Sequence, residues 1–384
     1  MSDDDGIYSL KDAPEDRVEP LTRKPRSGRR PGDPLPEAKS SHSSPGEKRP
    51  DAPERPPSGS ESRSKPGLME EVVRVGDVDA IGTAGSPVEI SPTTPEERVG
   101  ELLDRLKTVG PGDQAPAVDA LLAGDVELAL RMASGEFPGL LWFHRHLAHR
   151  KLPLGRDIGP FGALFVAAGV RSVPYLTVIL DEGNADQRFY AAMVVSDLAT
   201  DLDRDLGEQL IDALGRRLYD GDTQVRDAAL HALLVFAGRG WTSGLVSSLL
   251  SRVADPSVNV GIRIISLRAL GVFRDPQTVP GLIDILDARR REIKDATRDV
   301  LRVICGEDKG TSRRRWASWW KKNQDRPRLH WLVDGLTHRD AEVRAVAHRE
   351  LIKATGHEIE LDPNAGRSER KRVRNAYAEF LGIG

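Results

Sequence analysis

From residue 94 onward, apolar positions recur at helical spacing. Val99, Leu102, Leu103 and Leu106 fall at i, i+3, i+4 and i+7, which puts them on one face of a helix. The helix start is written just before them. Thr94 can accept from the amide of Glu97 while Glu97 reaches back, and Pro95 has its φ preset for the first helical position. Gly110-Pro111-Gly112 ends this segment, and shorter helical patterns run on to about residue 134. Phe137 to Gly159, rich in Pro, Gly, His and Arg, reads as an irregular connector. Beyond Pro160 the apolar stripes come in pairs. The first members are Leu176, Ile179 and Leu180; Leu210, Ile211 and Leu214; Leu245, Leu249 and Leu250; Leu282, Ile283 and Leu286. The second members carry small and branched residues, such as Ala228, Ala229, Ala232 and Leu233, or Ile265, Ala269 and Leu270, and small residues let helices approach closely.

A basic residue stands near the start of each second helix: Arg188, Arg226, Arg263, Lys294 and Arg344, at separations of 38, 37, 31 and 50. Two copies share a fuller form, Asp222-x-x-Val225-Arg226 and Asp340-x-x-Val343-Arg344, in which the aspartate suits a helix N-cap. Five such pairs in succession over roughly 160–356 resemble HEAT repeats, of the HEAT-like kind also found in bilin (PBS-type) lyases. The resemblance implies an all-α fold, an α-solenoid in which each helical hairpin buries its face only against its neighbours. It also implies that the repeated cations form a structural ladder, each pairing with the aspartate of an adjacent repeat. The residues alone leave a second role open, a concave face that binds an acidic partner.

A second level of repetition lies near the end of the chain. At an offset of 50, Glu292, Ile293, Lys294, Leu301 and Gly306 match Glu342, Val343, Arg344, Leu351 and Gly356, with both glycines placed for left-handed helix caps. Arg313, Trp316, Trp319 and Trp320 then match Arg374, Tyr377, Phe380 and Leu381, the second loop being longer by 11 residues. A duplicated unit of helical pair plus aromatic helix is expected, with Trp316, Trp319, Trp320, Tyr377 and Phe380 as structural aromatics. The Gly, loop, Trp-x-x-Trp-Trp order is similar to an element seen beside HEAT repeats in bacterial proteins of undetermined role. The basic residues around the indoles leave another reading open, a platform on which single-stranded nucleic acid stacks.

The chain before residue 94 has a different character. The first 95 residues hold 15 of the 26 prolines, 13 serines and one aromatic, Tyr8, so little apolar surface can offset the entropy of ordering them. Residues 1–93 are expected to be a disordered Pro/Ser-rich tail, 94–159 an N-terminal helical segment with its connector, and 160–384 the solenoid. Two islands in the tail are candidate partner-binding motifs: Ile7, Tyr8 and Leu10 behind Asp3-Asp4-Asp5, and Leu68, Met69, Val72 and Val73. Overall charge is near balance, at −3, but residues 176–222 carry 4 Lys/Arg against 11 Asp/Glu and 285–330 carry 14 against 7. One cysteine, Cys305, excludes an intramolecular disulfide. The acidic start lacks the layout of a signal peptide and no apolar run approaches the roughly 18 residues that cross a bilayer, so a cytoplasmic protein without membrane insertion is expected.

Catalytic, metal and cofactor residues are all assigned as none. His144, His146 and His149 have spacings that do not share one helical face, with no carboxylate among Phe143 to Leu154. Gly306-Glu307-Asp308-Lys309-Gly310-Thr311-Ser312 has the residue types of a phosphate loop, but Lys309 precedes Gly310 and the segment follows a helix. His357-Glu358 is the single His-Glu dipeptide, whereas HEAT-repeat hydroxylases with a di-iron centre need several. The function expected is a non-catalytic scaffold that binds one or more proteins. The alternatives are nucleic-acid binding through 285–330 and Arg370-Lys371-Arg372-x-Arg374, similar to HEAT-like DNA glycosylases, and a HEAT-type bilin lyase.

Overall fold

The structure, a computed structural model, describes residues 94–147 and 152–383. The tail, with Ile7, Tyr8, Leu10, Leu68, Met69, Val72 and Val73, lies outside the described residues, as does His149. Regular structure among the described residues is helical throughout. Helix α1 (Pro95–Thr108) begins in the capping box its sequence spells: Thr94 Oγ1 accepts from the Glu97 amide at 3.1 Å and Glu97 Oε2 from the Thr94 amide at 3.1 Å. Val99, Leu103 and Leu106 are buried against α2 (Ala115–Leu122) and α3 (Val126–Glu136). The connector follows, broken by one 3₁₀ turn at Gly155–Asp157.

The chain then runs through α4 (Pro160–Ala168), a 3₁₀ turn at Gly169–Ser172 and α5 (Val173–Glu182). Pro160–Glu182, 23 residues, is long and apolar enough by length and composition to cross a membrane. The expectation of no such stretch is thereby corrected. Counting unbroken apolar runs stops at Arg171, Ser172 and Pro174, whereas the average over the stretch does not. In the fold the stretch is two helices that bury Phe161, Leu164, Phe165, Leu176 and Leu180 in the common core.

Four helical pairs continue from α5. They are α5 with α6 (Ala185–Leu198), α7 (Arg204–Arg217) with α8 (Thr223–Gly238), α9 (Ser243–Ala254) with α10 (Val260–Phe273), and α11 (Val279–Ile285) with α12 (Arg291–Cys305). Each pair packs on the one before and the one after, which makes the described chain an α-solenoid. The central helix α6 has no solvent face in its middle. Phe189 to Val195 are all buried because α5 and α8 flank it while α4 and the connector cover what is left. Contact is closest at Gly155, where a Cβ would lie 2.6 Å from the Cα of Val194.

After α12 come α13 (Arg313–Asn323), the pair α14 (Arg328–Gly335) and α15 (Ala341–Thr355), and α16 (Arg367–Phe380). Gly306 and Gly356 are the left-handed caps of α12 and α15, at φ 61° and 64°. At Gly306 a side chain would also meet Leu332 at 3.0 Å. Leu332 to Ala378 form a second apolar cluster, apart from the core that runs from Val99 to Trp331. An ionic tie bridges the two. Glu350 of α15, almost fully buried, accepts from Arg328 at 2.8 Å and from Arg274, the residue that ends α10. Arg274 stands in the left-handed region at φ 54°, where most helices use glycine. Its bond to Glu350 secures that conformation.

The duplicated aromatic unit is present in altered form. Trp316 and Tyr377 are both fully buried, as the matching positions require. Phe380 is not a buried aromatic: it is 51% exposed and stacks on His357 with ring centroids 4.3 Å apart. The 11 extra residues do not all enter the loop. Four lengthen it (357–366 against 307–312) and seven extend the start of α16 ahead of Tyr377.

Trp316→Ala is expected to lower stability by about 3–5 kcal/mol, the cost of emptying a large buried aromatic site, and Phe380→Ala by less than about 1 kcal/mol. Urea denaturation followed by circular dichroism checks the contrast, and similar losses would contradict it.

Candidate partner-binding surfaces

The connector lies across the starts of α6 and α8, and one side chain anchors it. Arg145, 4% exposed at the side chain, reaches Asp186 Oδ1 at 2.6 Å through Nε and Asp222 Oδ2 at 3.0 Å through Nη1, with its guanidinium 5.5 Å from the Phe189 ring. The backbone is held as well. Tyr190 Oη accepts from the Arg145 amide at 3.1 Å and donates to the Phe143 carbonyl at 3.0 Å, while Gln224 donates to the Arg145 carbonyl at 2.9 Å. At the two flanks Gln187 donates to the Phe137 carbonyl at 2.9 Å and Arg156 pairs with Asp197 at 2.7 Å. Burial pushes the Tyr190 hydroxyl up; burial also opposes ionisation of Asp222, but the Val225 amide and Arg145 outweigh it and hold that carboxyl low. Neither Arg145 nor its seat was evident from sequence. They are 41 and 77 residues from their partners, and only the cap role of Asp222 could be read locally.

The repeated cations do not form the expected ladder. Arg188 does pair with Asp220 of the next turn, at 2.7 Å. Arg226 instead donates to the Asp220 carbonyl at 2.7 Å, in the turn before its own helix, and to Oγ1 of Thr223, the first residue of that helix, at 2.8 Å. Arg344 donates in the same way to the carbonyls of His338 at 2.6 Å and Arg339 at 2.9 Å, and to Pro363. Arg263 donates through Nε to the Val253 carbonyl at 2.8 Å. Lys294, half-buried, makes no such bond among the described residues. The physical reason lies in the turn between the two helices of a pair, whose carbonyls have no helical donor. A guanidinium one turn into the next helix can reach back to them with several N–H groups, and a lysine cannot match that fork.

The residue four positions before each repeated cation is the N-cap of the second helix: Asn184, Asp222, Asn259, Arg290 and Asp340. Four of these accept a hydrogen bond from an amide of the first turn, and Arg290 cannot. Beside the uncapped start of α12 an open groove of roughly 1120 Å³ runs between the α9–α10 and α11–α12 turns. Leu250, Ala254, Val258 and Ile285 give it an apolar wall, and Arg263, Arg289 and Arg290 line it too.

At α13, Trp316 donates to the Gly310 carbonyl at 2.7 Å and meets Trp319 edge to face at 5.7 Å. Trp331 of α14 packs on Trp319 and Trp320 at 5.4 and 5.7 Å, completing a cluster whose fourth member the sequence reading missed. Arg314, Arg315, Lys309 and Lys322 surround a shallow depression against half-buried Trp319. Arg313 turns away to Asp284 at 2.7 Å. The other basic stretch is largely engaged in the fold: Arg370 donates to the His338 carbonyl at 3.3 Å, Arg372 pairs with Glu369 at 2.5 Å and Arg374 with Asp334 at 3.2 Å.

The loop that has the residue types of a phosphate loop uses them on itself. Glu307 accepts from His338 Nε2 at 2.9 Å and Lys309 at 2.8 Å, and Asp308 binds Arg298 at 2.9 Å. His338 Nδ1 takes the Asp340 amide at 3.1 Å, which leaves its ring proton on Nε2, facing Glu307. Burial opposes ionisation of Glu307, yet these donors outweigh it and bring the carboxyl to about 2. Cys305 is buried and burial pushes its thiol far up, which removes it as a nucleophile. His146 stands 3.5 Å from Asp186 beside the Arg145 seat.

No family model and no curated protein matches the chain. Among solved structures, one described as computationally designed armadillo repeat proteins for modular peptide recognition is 16% identical with a TM-score of 0.26, covering 68% of this chain and 99% of that one. An engineered protein from a structural genomics consortium is 17% identical with a TM-score of 0.27, covering 69% and 99%. Scores this low leave the fold resting on the helix order and packing described above.

Two outcomes follow from the ionic contacts. Arg145→Met should cost about 1–2 kcal/mol, discounted because Asp186 and Asp222 keep contact with water, and a double-mutant cycle with Asp222→Asn should give a positive coupling. Additive losses would show that the seat is not a unit. For Glu307 the folded carboxyl titrates below its unfolded value, so its contribution is present above about pH 4.5 and lost as pH falls towards 2. Glu307→Gln should therefore cost roughly 1–2 kcal/mol at pH 7 after discounting for partial exposure, with the difference from wild type closing by about pH 2–3 in urea titrations.

Proposed function

We propose that the chain is a HEAT-type, non-catalytic scaffold of the bacterial cytoplasm that binds one or more proteins along its solenoid. The observation that carries the reading is the Arg145 seat. The starts of α6 and α8 already hold an irregular, turn-forming segment by an inserted arginine and by bonds to its main chain, which supports a reading in which this edge binds peptide segments. The α12 groove and the α13 depression offer two further surfaces, both lined by basic residues. In this reading, Glu307, Asp308 and Lys309 stabilise a turn, and the indoles fix α13 in place.

A second reading has one observation in its favour. Arg314, Arg315 and Lys322 flank Trp319, an arrangement that suits single-stranded nucleic acid. The engagement of Arg313, Arg370, Arg372 and Arg374 with acids and carbonyls narrows that surface.

Cross-linked capture with the full chain from extracts of its source cells separates the two. The scaffold reading expects defined proteins that survive nuclease treatment, that fall at least fivefold when Arg314, Arg315 and Lys322 are changed to Glu or when the groove arginines are, and flat titrations with 20-nucleotide single strands at low salt. Capture that vanishes with nuclease, together with salt-sensitive binding to those strands, would replace it with the nucleic-acid reading.

A further inference from the structure

The groove beside α12 is lined by three arginines, Arg263, Arg289 and Arg290. Arg263 is 5% exposed, donates from Nε to the Val253 carbonyl at 2.8 Å and acts by its charge on the nearby Asp255 carboxyl. Its counterparts differ: Arg188 has Asp220, while Arg226 and Arg344 use their terminal nitrogens on the carbonyls of their own turns. Arg289 and Arg290 are exposed on the same groove, and Arg290 replaces the capping oxygen that the four sibling helices have, so the first amides of α12 face the groove region without a side-chain acceptor. Asp284 and Asp287, also on the groove, are drawn to Arg313, at 2.7 and 3.3 Å. Glu292 in the first turn of α12 complements the helix dipole but does not cap it. The wall between these charges is apolar. Such a seat fits a short segment with several carboxylates followed by two or three apolar side chains.

The chain itself has that segment. Asp3-Asp4-Asp5-Gly6-Ile7-Tyr8-Ser9-Leu10 places three acids ahead of Ile7, Tyr8 and Leu10. We propose that Asp3–Leu10 is the occupant of the α12 groove, its carboxylates on the arginines and the uncapped helix start, its apolar residues on the Leu250–Ile285 wall. The 83 residues from Lys11 to Thr93 are long enough to permit this. A random coil of that many residues has an end-to-end distance of roughly 50 Å, on the order of the span of the four to five helical pairs between α1 and α12. Tethering gives an effective concentration on the order of 0.1–1 mM, so a contact too weak to persist between separate molecules is occupied within one. The inference goes beyond the scaffold reading: it gives the solenoid a resident ligand that an incoming acidic partner must displace.

The test uses the full chain and a fluorescein-labelled peptide of residues 1–11, read by anisotropy. In wild type the resident segment competes. In the full chain with Asp3→Asn, Asp4→Asn and Asp5→Asn the groove is released, and the peptide should bind at least tenfold tighter. Adding Arg290→Asp to that triple variant installs the cap that Asp222 and Asp340 provide, so it should raise the thermal midpoint while weakening peptide binding at least tenfold; Arg289→Glu should weaken binding without restoring a cap. Equal binding by wild type and the triple variant overturns the proposal. So does no binding to either chain, retention of affinity in both Arg290→Asp and Arg289→Glu, or equal affinity for a scrambled peptide of the same charge.

Discussion

A helical hairpin stacked between two others has one persistent polar problem, the backbone groups at the ends of its helices. The sides of each helix are covered by neighbours, but the short turn between the two leaves amides at one end and carbonyls at the other. In this chain both are met from within the same few residues. An Asp or Asn closes the amides of the second helix, and an arginine one turn later folds back onto the carbonyls of the turn itself, as at Asp222 with Arg226 and at Asp340 with Arg344. Stacking depends on this, since an unsatisfied turn could not be buried beneath the next repeat.

That constraint also shapes the surface. The polar residues that finish helices lie in rows along one edge of the solenoid, so any variation in them changes what the edge attracts. Between α6 and α8 the row is acidic and a cation from the connector fills it, Arg145 on Asp186 and Asp222. At α12 the cap has become Arg290, next to Arg289, and the edge is cationic. Two sites built from equivalent positions thus have opposite preference, with no change in fold.

Much of this was legible because it is local. The Thr94–Glu97 box, the caps at Asp222 and Asp340, the left-handed glycines at 306 and 356 and the apolar stripes each depend on residues a few positions apart, and each stands where the spacing puts it. What sequence left dark is long-range. The Arg145 seat joins residues up to 77 apart, and Arg274 meets Glu350 across 76. The cation repeat was visible, but its partner was misassigned, because the pattern shows that a guanidinium recurs and not whether it points across to the next repeat or back to its own turn. Phe380 illustrates a different limit. Its alignment with Trp319 is sound as sequence, yet a shared position does not carry shared burial, and the ring is 51% exposed.

The last step concerns why α6 is the most deeply buried helix of the set. Its residues Phe189 to Val195 lack a polar side because the connector and α4 cover the face that other second helices show to solvent. An apolar face of that kind would be a standing association site if it were open, and Arg145, Tyr190 and Gly155 close it with one salt-bridged anchor, one hydroxyl bridge and one backbone-to-backbone contact. The chain therefore covers its own most apolar surface with an irregular connector, and its charged edges lie further along. In the scaffold reading proposed above, partners would be selected by charge while the apolar core is withheld.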